Sequence, residues 1–452
     1  MDIEWLEGSL LYQAFRFAHG LPVYHSPRLG YFSLAYPPLY FLAVSGLGRI
    51  FGIDYGVARC LSIAGFALAC ISAGWSIARD AAPGLRALLV LLICGTMAAT
   101  FPASAGWYDH VRVDSLAMGL LGCAVLLVEG IDRSWQRCLM AGLVMTAVVF
   151  TQHSYILSVC WLVGFSILRY GRVGWHVTAF SLASAVVGLV ILLITSRGWF
   201  WTWMAQLANH EIRPRRLLLG AHLVLVDAPY LVILPVLTAW VIWRRSLRTR
   251  SLLWLGVFVS SVPLSLLTFA KLGGYFNDLI PMLLTAPVSM VAVMLDVADS
   301  LRAKHAAWGR IAIVAMVTLF LATRDFPASR YLPSADDWSK ARLLNDFIRS
   351  LDGRVLIPSH PFLAVRNGKG DEQLSVMGYW DLRDAGRASP LDIDGYIQRI
   401  DPSWLVLAND RRLDGWIVGE AKRQFEFARH VANSPTFGLP YYSLRSVYRR
   451  AK

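Results

Sequence analysis

From His176 to Ser196 the chain reads HVTAFSLASAVVGLVILLITS, with no acidic residue, lysine or arginine. A helix of about 20 apolar residues is long enough to cross a hydrocarbon core of about 30 Å, where every backbone polar group must be satisfied within the chain. Comparable runs recur near 57–78, 86–102, 115–131, 137–152, 155–168, 221–243, 251–269, 279–297 and 309–323. The stretch 137–168 is too long for one span and divides at Thr151-Gln152-His153-Ser154, where polar residues interrupt it. Composition agrees: 56% of residues are hydrophobic and 16% charged, against about 45–50% and 25% in soluble domains. The expected fold class is an α-helical polytopic membrane protein of about ten spans.

Charge sets the expected orientation. Arg79 and Arg86 share one loop, Arg133 and Arg137 the second after it, and Arg169 and Arg172 the next of that parity. RRSLRTR (244–250) and LRAKHAAWGR (301–310) continue the alternation. Basic, acid-poor loops on every second connection are the positive-inside pattern. The net charge of +13 is therefore read as topology, and no nucleic-acid partner is expected. The opposite parity holds the N-terminal segment to about residue 56, GWYDHVRVD, the 197–220 loop, KLGGYFND (271–278) and everything after about residue 324. Because the sequence opens MDIEWLEG with no apolar segment ahead of it, a further span upstream of Met1 is expected.

Hydropathy falls after residue 324. WSKARLLNDFIRSL (338–351) places Trp338, Ala341, Leu344, Phe347, Ile348 and Leu351 near helical spacing, while RVLIPS (354–359), WLVLAND (404–410) and YYSLRSVYRR (441–450) read as strands. Three regions are expected: an outer loop with juxtamembrane helices (1–56), a transmembrane domain (57–323) and an extracytoplasmic α/β domain (324–452). Cys60, Cys70, Cys94, Cys123, Cys138 and Cys160 lie in apolar stretches without a CxxC pair, so they read as small buried hydrophobes rather than a disulfide framework or zinc site.

Five constellations fall on the outward parity. Asp2 and Glu4, with Glu7 behind, could bind a divalent ion or take a proton from a hydroxyl; a solvated acidic terminus is the plainer explanation. GWYDHVRVDSLAM (106–118) crowds Asp109, His110, Arg112 and Asp114 at the mouth of an apolar run. Capping the following helix would account for Asp114 alone, not for its neighbours. YPPLYFLAVSGLGRIFG (36–52) is short for a span and reads as a helix lying in the outer interface. NHEIRPRR (209–216) carries His210, Arg213, Arg215 and Arg216 on the side where cations should be scarce. They suit a lipid phosphate, or general attraction to anionic lipid. AKLGGYFNDLIP (270–281) offers Lys271, Tyr275 and Asn277 around paired glycines, as a ligand loop or as a turn with a cap.

An acidic pair in the first outer loop, then Gly20, Pro22 and Tyr24 spaced G-x-P-x-Y, YPPLY and the link from Ile50 to Arg59, resembles the GT-C superfamily of polyprenyl-phosphate-sugar-dependent glycosyltransferases. Within it the chain is most similar to bacterial proteins of the family 39 type, related to protein O-mannosyltransferases and lipid A aminoarabinose transferases. WYDHVRVDSLAM resembles that group's second acidic loop, and GGYFNDLIP its later outer-loop signature. The resemblance implies transfer of a sugar from a polyprenyl-phosphate-linked donor to a glycan, lipid or protein acceptor, with inversion, at the outer face of the cytoplasmic (inner) membrane. It also implies that Asp2 is the base with Glu4 beside it, that Asp114 is the second acid with Asp109 its rival, and that a divalent metal could bridge Asp2 and Asp114. Arg213, Arg215, Arg216 and Lys271 would bind phosphate, with Arg112, His210, Tyr275 and Asn277 as further substrate contacts.

A transporter or flippase is the alternative from another class. Transporters place polar residues near mid-membrane, and here only Gln152 and His153 are candidates for that depth. A polymerase or ligase joining lipid-linked glycans would share the donor.

Overall fold

The computed structural model describes residues 6–26, 31–131, 134–206, 210–301, 303–322, 331–384, 390–408, 424–431 and 444–451. The chain divides into two compact units, one of residues 1–59, 189–210 and 327–452, the other of 60–188 and 211–326.

Among its described residues the second unit is built of helices and the loops that join them. Its rods are α3 (Tyr55–Ala78, from residue 60 onward), α4 (Pro83–Ala98), α5 (Val113–Glu129), α6 (Trp135–Thr151), α7 (Ile156–Tyr170), α8 (Arg172–Thr195, to residue 188), α10 (Pro214–Asp227), α11 (Leu234–Trp243), α12 (Thr249–Ala270), α13 (Ile280–Ser300) and α14 (Ala303–Ala322). Five helical stretches among the described residues are long and apolar enough to cross a membrane: Tyr55–Ala78, Pro83–Ser104, Arg172–Thr195, Thr249–Ala270 and Phe276–Ser300. The last is the centre of the unit. Its α13 is buried almost throughout and packs against α4, α11, α12 and α14.

Small residues set the closest crossings, as expected where helices meet without a hydrophobic drive. A Cβ on Gly119 of α5 would lie 2.5 Å from the Gly65 carbonyl oxygen of α3, so glycine is required where these backbones touch. The expected division of 137–168 is present: α6 stops at Thr151, Gln152 is extended, and α7 starts at Ile156. The expected single run 221–243 is instead two helices. Pro229, which cannot continue the ladder, follows a break at Ala228.

The bundle has two chemically different ends. At one, Arg79 lies 3.6 Å from Glu129, Arg250 donates to the Ile77 carbonyl and pairs with Asp80, and Arg248 reaches Asp296 and Asp299. Asp114 is in the first turn of α5 and Glu129 in its last, about 22 Å apart at 1.5 Å per residue. The loops carrying Asp114, Lys271 and Asn277 thus occupy the end opposite the arginine-rich turns at 79–86 and 244–250.

In the first unit, α1 (Glu7–Ala18) is buried along most of its length. Its Tyr12 hydroxyl donates to the Asp371 carbonyl and accepts from the Gln373 amide, while Glu7 forms a two-point ion pair with Arg59 (3.0 and 2.5 Å). Helix α2 (Leu39–Phe51) begins immediately after Pro37-Pro38, where a missing N–H is harmless. It is followed by α9 (Trp199–Gln206) and the C-terminal elements α15 (Ala335–Ser350), β1 (Val355–Leu356), α16 (Pro361–Arg366), α17 (Val376–Asp384), α18 (Pro390–Ile400), β2 (Trp404–Ala408), β3 (Phe425–His430) and β4 (Leu444–Arg450). The sheet order is β1-β2-β4-β3, parallel at β1–β2 and antiparallel elsewhere. Leu344 and Ile348 of α15 cover Val355, Val406 and Val447, as the spacing in 338–351 requires. Strand β3, FEFARH, has only Phe425 buried; its exposed, charged face gives no alternation of apolar residues, and the sequence does not announce it.

Candidate active site

Three loops converge at the end of the second unit opposite its arginine-rich turns. The first links α4 to α5. It reverses at Ala105 and Gly106, both left-handed (φ 55° and 82°). Thr100 Oγ1 lies 2.6 Å from the Tyr108 hydroxyl, Ser115 Oγ donates to the Tyr108 carbonyl and Ser62 Oγ to that of Arg112. These bonds hold Arg112, 2% exposed, with its guanidinium 4.2 Å above the Trp107 ring. Asp109 and His110 pair with one another at 3.1 Å, the carboxylate half exposed.

Asp114 is buried in the first turn of α5, and capping, the alternative explanation for it, is not the role its position gives it. The N-cap residue is Arg112, and it makes no side-chain cap. The Asp114 carboxylate instead faces two side-chain amides, Gln152 Nε2 at 3.4 Å and Asn277 Nδ2 at 3.5 Å. One arrives from the α6–α7 break and the other from the third loop. Two long hydrogen bonds and a neighbouring guanidinium are what a buried carboxylate needs to remain tolerable. Beside it, Gln152 Oε1 and His153 Nδ1 are buried without a hydrogen-bond partner among the described residues, a state that favours contact with a polar ligand or water.

The second and third loops run antiparallel. Arg213 N donates to the Ala270 carbonyl and Leu272 N to that of Glu211, closing a single bridge between Ile212 and Lys271. Arg216 then donates to the carbonyls of Lys271 (3.2 Å) and Gly274 (2.6 Å). Gly274 cannot be replaced without movement, since a Cβ there would meet the Thr268 carbonyl oxygen at 2.1 Å. The pairing gathers Arg213, Arg215, Arg216 and Lys271. Arg213 and Arg215 are exposed, Arg213 lying 3.7 Å from Glu211, whereas Arg216 is spent on holding the glycine loop. Tyr275 stacks on Trp107 and its N–H donates to Asp278 Oδ2.

Asp114, Arg112, Tyr275 and Asn277 are therefore neighbours, and the three arginines share a loop pair with Lys271. His210 belongs to the first unit, where its ring faces Asp381 at 3.7 Å. Asp2 and Glu4 lie outside the described residues. Sequence reasoning passed over Trp107, Tyr155, whose hydroxyl donates to the Asp114 carbonyl, and Asp278; aromatic residues beside a polar loop are too common in membrane chains to signal a site. Among the described residues no group of three or more His, Cys, Asp or Glu could hold a metal ion. The Asp114 oxygens face amide N–H donors, which suits a hydrogen-bonded carboxylate, so the described residues do not themselves form a metal site.

No family model matches the chain, and no curated protein matches it. Solved structures do. ArnT from Cupriavidus metallidurans bound to undecaprenyl phosphate aligns over 98% of this chain and 93% of its own, at 14% identity and a TM-score of 0.57. The same protein in the apo state aligns over 99% and 94%, at 16% identity and a TM-score of 0.53. An Archaeoglobus fulgidus oligosaccharyltransferase tethered to an acceptor peptide covers 100% of this chain and 70% of its own at 10% identity, with a TM-score of 0.49, a level from which nothing follows about this fold. Nearly the whole length of the chain aligns with ArnT, so the chain shares the fold of that structure.

Proposed function

We propose that this protein is a membrane glycosyltransferase that moves a sugar from a polyprenyl-phosphate-linked donor to a glycan, lipid or protein acceptor. The observation that carries the proposal is the pairing of 211–213 with 270–272, which collects three arginines and a lysine on one loop pair. Cations gathered at a helix mouth suit a lipid phosphate, the group bound in the ArnT structure to which this fold is similar. In this reading Arg213, Arg215 and Lys271 meet the phosphate, and Arg216 sets their positions through the Lys271 and Gly274 carbonyls.

The proposed reaction is a displacement at the anomeric carbon. Asp2, with Glu4 as neighbour, takes the acceptor hydroxyl proton. The acceptor oxygen forms its bond to the sugar as the carbon–oxygen bond to phosphate breaks, and the configuration inverts. The cations stabilise the departing phosphate. Asp114, held by Gln152 and Asn277, is the second acid, and Asp109 is its rival. Arg112, His210, Tyr275 and Asn277 are proposed to line the substrate path, and no step is assigned to a metal.

The proposed topology has about ten spans in the inner membrane, with residues 1–56 and 324–452 outside flanking the membrane domain 57–323. Support comes from the alternation of basic loops and from the opposite placement of Glu129 and Asp114 on α5. Purified protein supplied with labelled lipid-linked sugar and candidate acceptors tests the activity. Transfer of label supports the proposal. Movement of the lipid-linked sugar across a sealed vesicle without transfer would favour the transporter reading instead.

A further inference from the structure

We propose that the C-terminal tip of α2, with the cavity beside it, binds the headgroup of an anionic phospholipid. The cavity, of about 450 Å³, belongs wholly to the first unit and is lined by α1, α2, α16 and the turn after α2. Phe15, Ile53 and Phe362 give it apolar walls, and Arg49 and Arg366 supply positive charge at its edge.

Three observations identify the occupant. Helix α2 ends in Ile50 and Phe51, 74% and 70% exposed. Two such side chains in sequence at a helix end are costly in water and favourable in acyl chains. Arg49, immediately before them, is exposed and makes no ion pair among the described residues. Its position in the last turn favours the helix dipole, but that effect does not require it to border a cavity. Arg366 is fixed by Asp54 at 3.0 Å, so the pair is near neutral and Arg49 is the net charge facing an incoming phosphate. An apolar tip that anchors, a neighbouring cation and a cavity of headgroup size match a diacyl lipid bearing one negative charge better than they match a soluble anion. The site shares no residue with the cation-bearing loops, so it stands whether or not the transferase reading does.

The test uses the purified full-length chain in neutral detergent, titrated with phosphatidylglycerol or phosphatidylcholine and read by native mass spectrometry. Phosphatidylglycerol is expected to bind preferentially. Arg49→Gln should weaken its binding about fivefold, the effect of one basic residue near a membrane surface, and leave phosphatidylcholine unchanged; Arg49→Lys should restore it. Paired Ile50→Ser and Phe51→Ser should weaken both lipids. Unchanged phosphatidylglycerol binding by Arg49→Gln would overturn the proposal. Glycerol 1-phosphate competing as well as the intact lipid would also overturn it, by showing a free-anion site.

Discussion

The Trp107 indole stacks on the Tyr275 phenol ring, with centroids 4.7 Å apart and planes 26° from parallel. On its other contacts Trp107 meets the Arg112 guanidinium, so one ring joins the loop that precedes Asp114 to the loop that carries Lys271 and Asn277. Replacing Trp107 by Leu keeps an apolar side chain but removes both π contacts. The expected cost is about 1–3 kcal/mol, from roughly 0.5–1.5 for an aromatic pair and a similar amount for a desolvated cation–π contact. Thermal unfolding in detergent measures it; an unchanged midpoint would show that the two loops are held independently.

Asp114→Asn changes charge and little else. It removes the anion beside buried Arg112 and turns an acceptor into a donor facing the Gln152 and Asn277 amides. We expect about 1–3 kcal/mol of destabilisation and a loss of transfer activity of at least about a hundredfold. Activity within twofold of the parent protein would remove Asp114 from the mechanism.

Gly274→Ala should be poorly tolerated, because its Cβ would be driven against the Thr268 and Phe269 carbonyl oxygens at 2.1 and 2.7 Å. Overpacking of this kind costs about 1–3 kcal/mol. Gly164→Ala, in α7 with nothing within 4 Å of the added atom, should be neutral or stabilising by up to about 1 kcal/mol. Equal unfolding midpoints for the two variants would contradict the close approach at Gly274.

His25, in the loop between α1 and α2, is 8% exposed, and burial holds its pKa down to about 4 from the usual 6.5. The unfolded chain therefore takes up a proton between those values that the folded chain refuses. Stability from this residue is complete above pH 6.5 and is lost as pH falls towards 4, by on the order of 2–3 kcal/mol. His25→Gln should flatten the fall in unfolding midpoint over that window. A slope identical to that of the parent protein would show that His25 is solvated.

The succession of apolar helices was legible in the sequence because hydrocarbon-length apolar runs rest on one strong physical term. The break at Thr151–Ser154 was equally readable, since polar residues cannot be hidden inside a long apolar helix at no cost. The division of 221–243 was not foreseen: Pro229 is compatible with a kinked span, and only packing decides between a kink and a break. The clustering of Arg213, Arg215 and Arg216 with Lys271 was suggested by composition on one parity. The backbone pairing that creates it joins segments with Ile212 and Lys271 far apart in sequence, which local patterning does not encode. The amide partners of Asp114 were hidden for a related reason, because Gln152 and Asn277 come from two other loops.

The most direct measurement is the affinity of purified full-length protein for undecaprenyl phosphate, compared with a variant carrying Arg213→Gln, Arg215→Gln and Lys271→Gln. Arg216 is left intact in that variant so that the glycine loop remains held. At about 1 kcal/mol for each cation near a phosphate, the three changes together are predicted to weaken binding by about a hundredfold. Equal affinity of the two proteins, with the variant folded as judged by its unfolding midpoint, would contradict the assignment of the cation-bearing loops as the donor phosphate site.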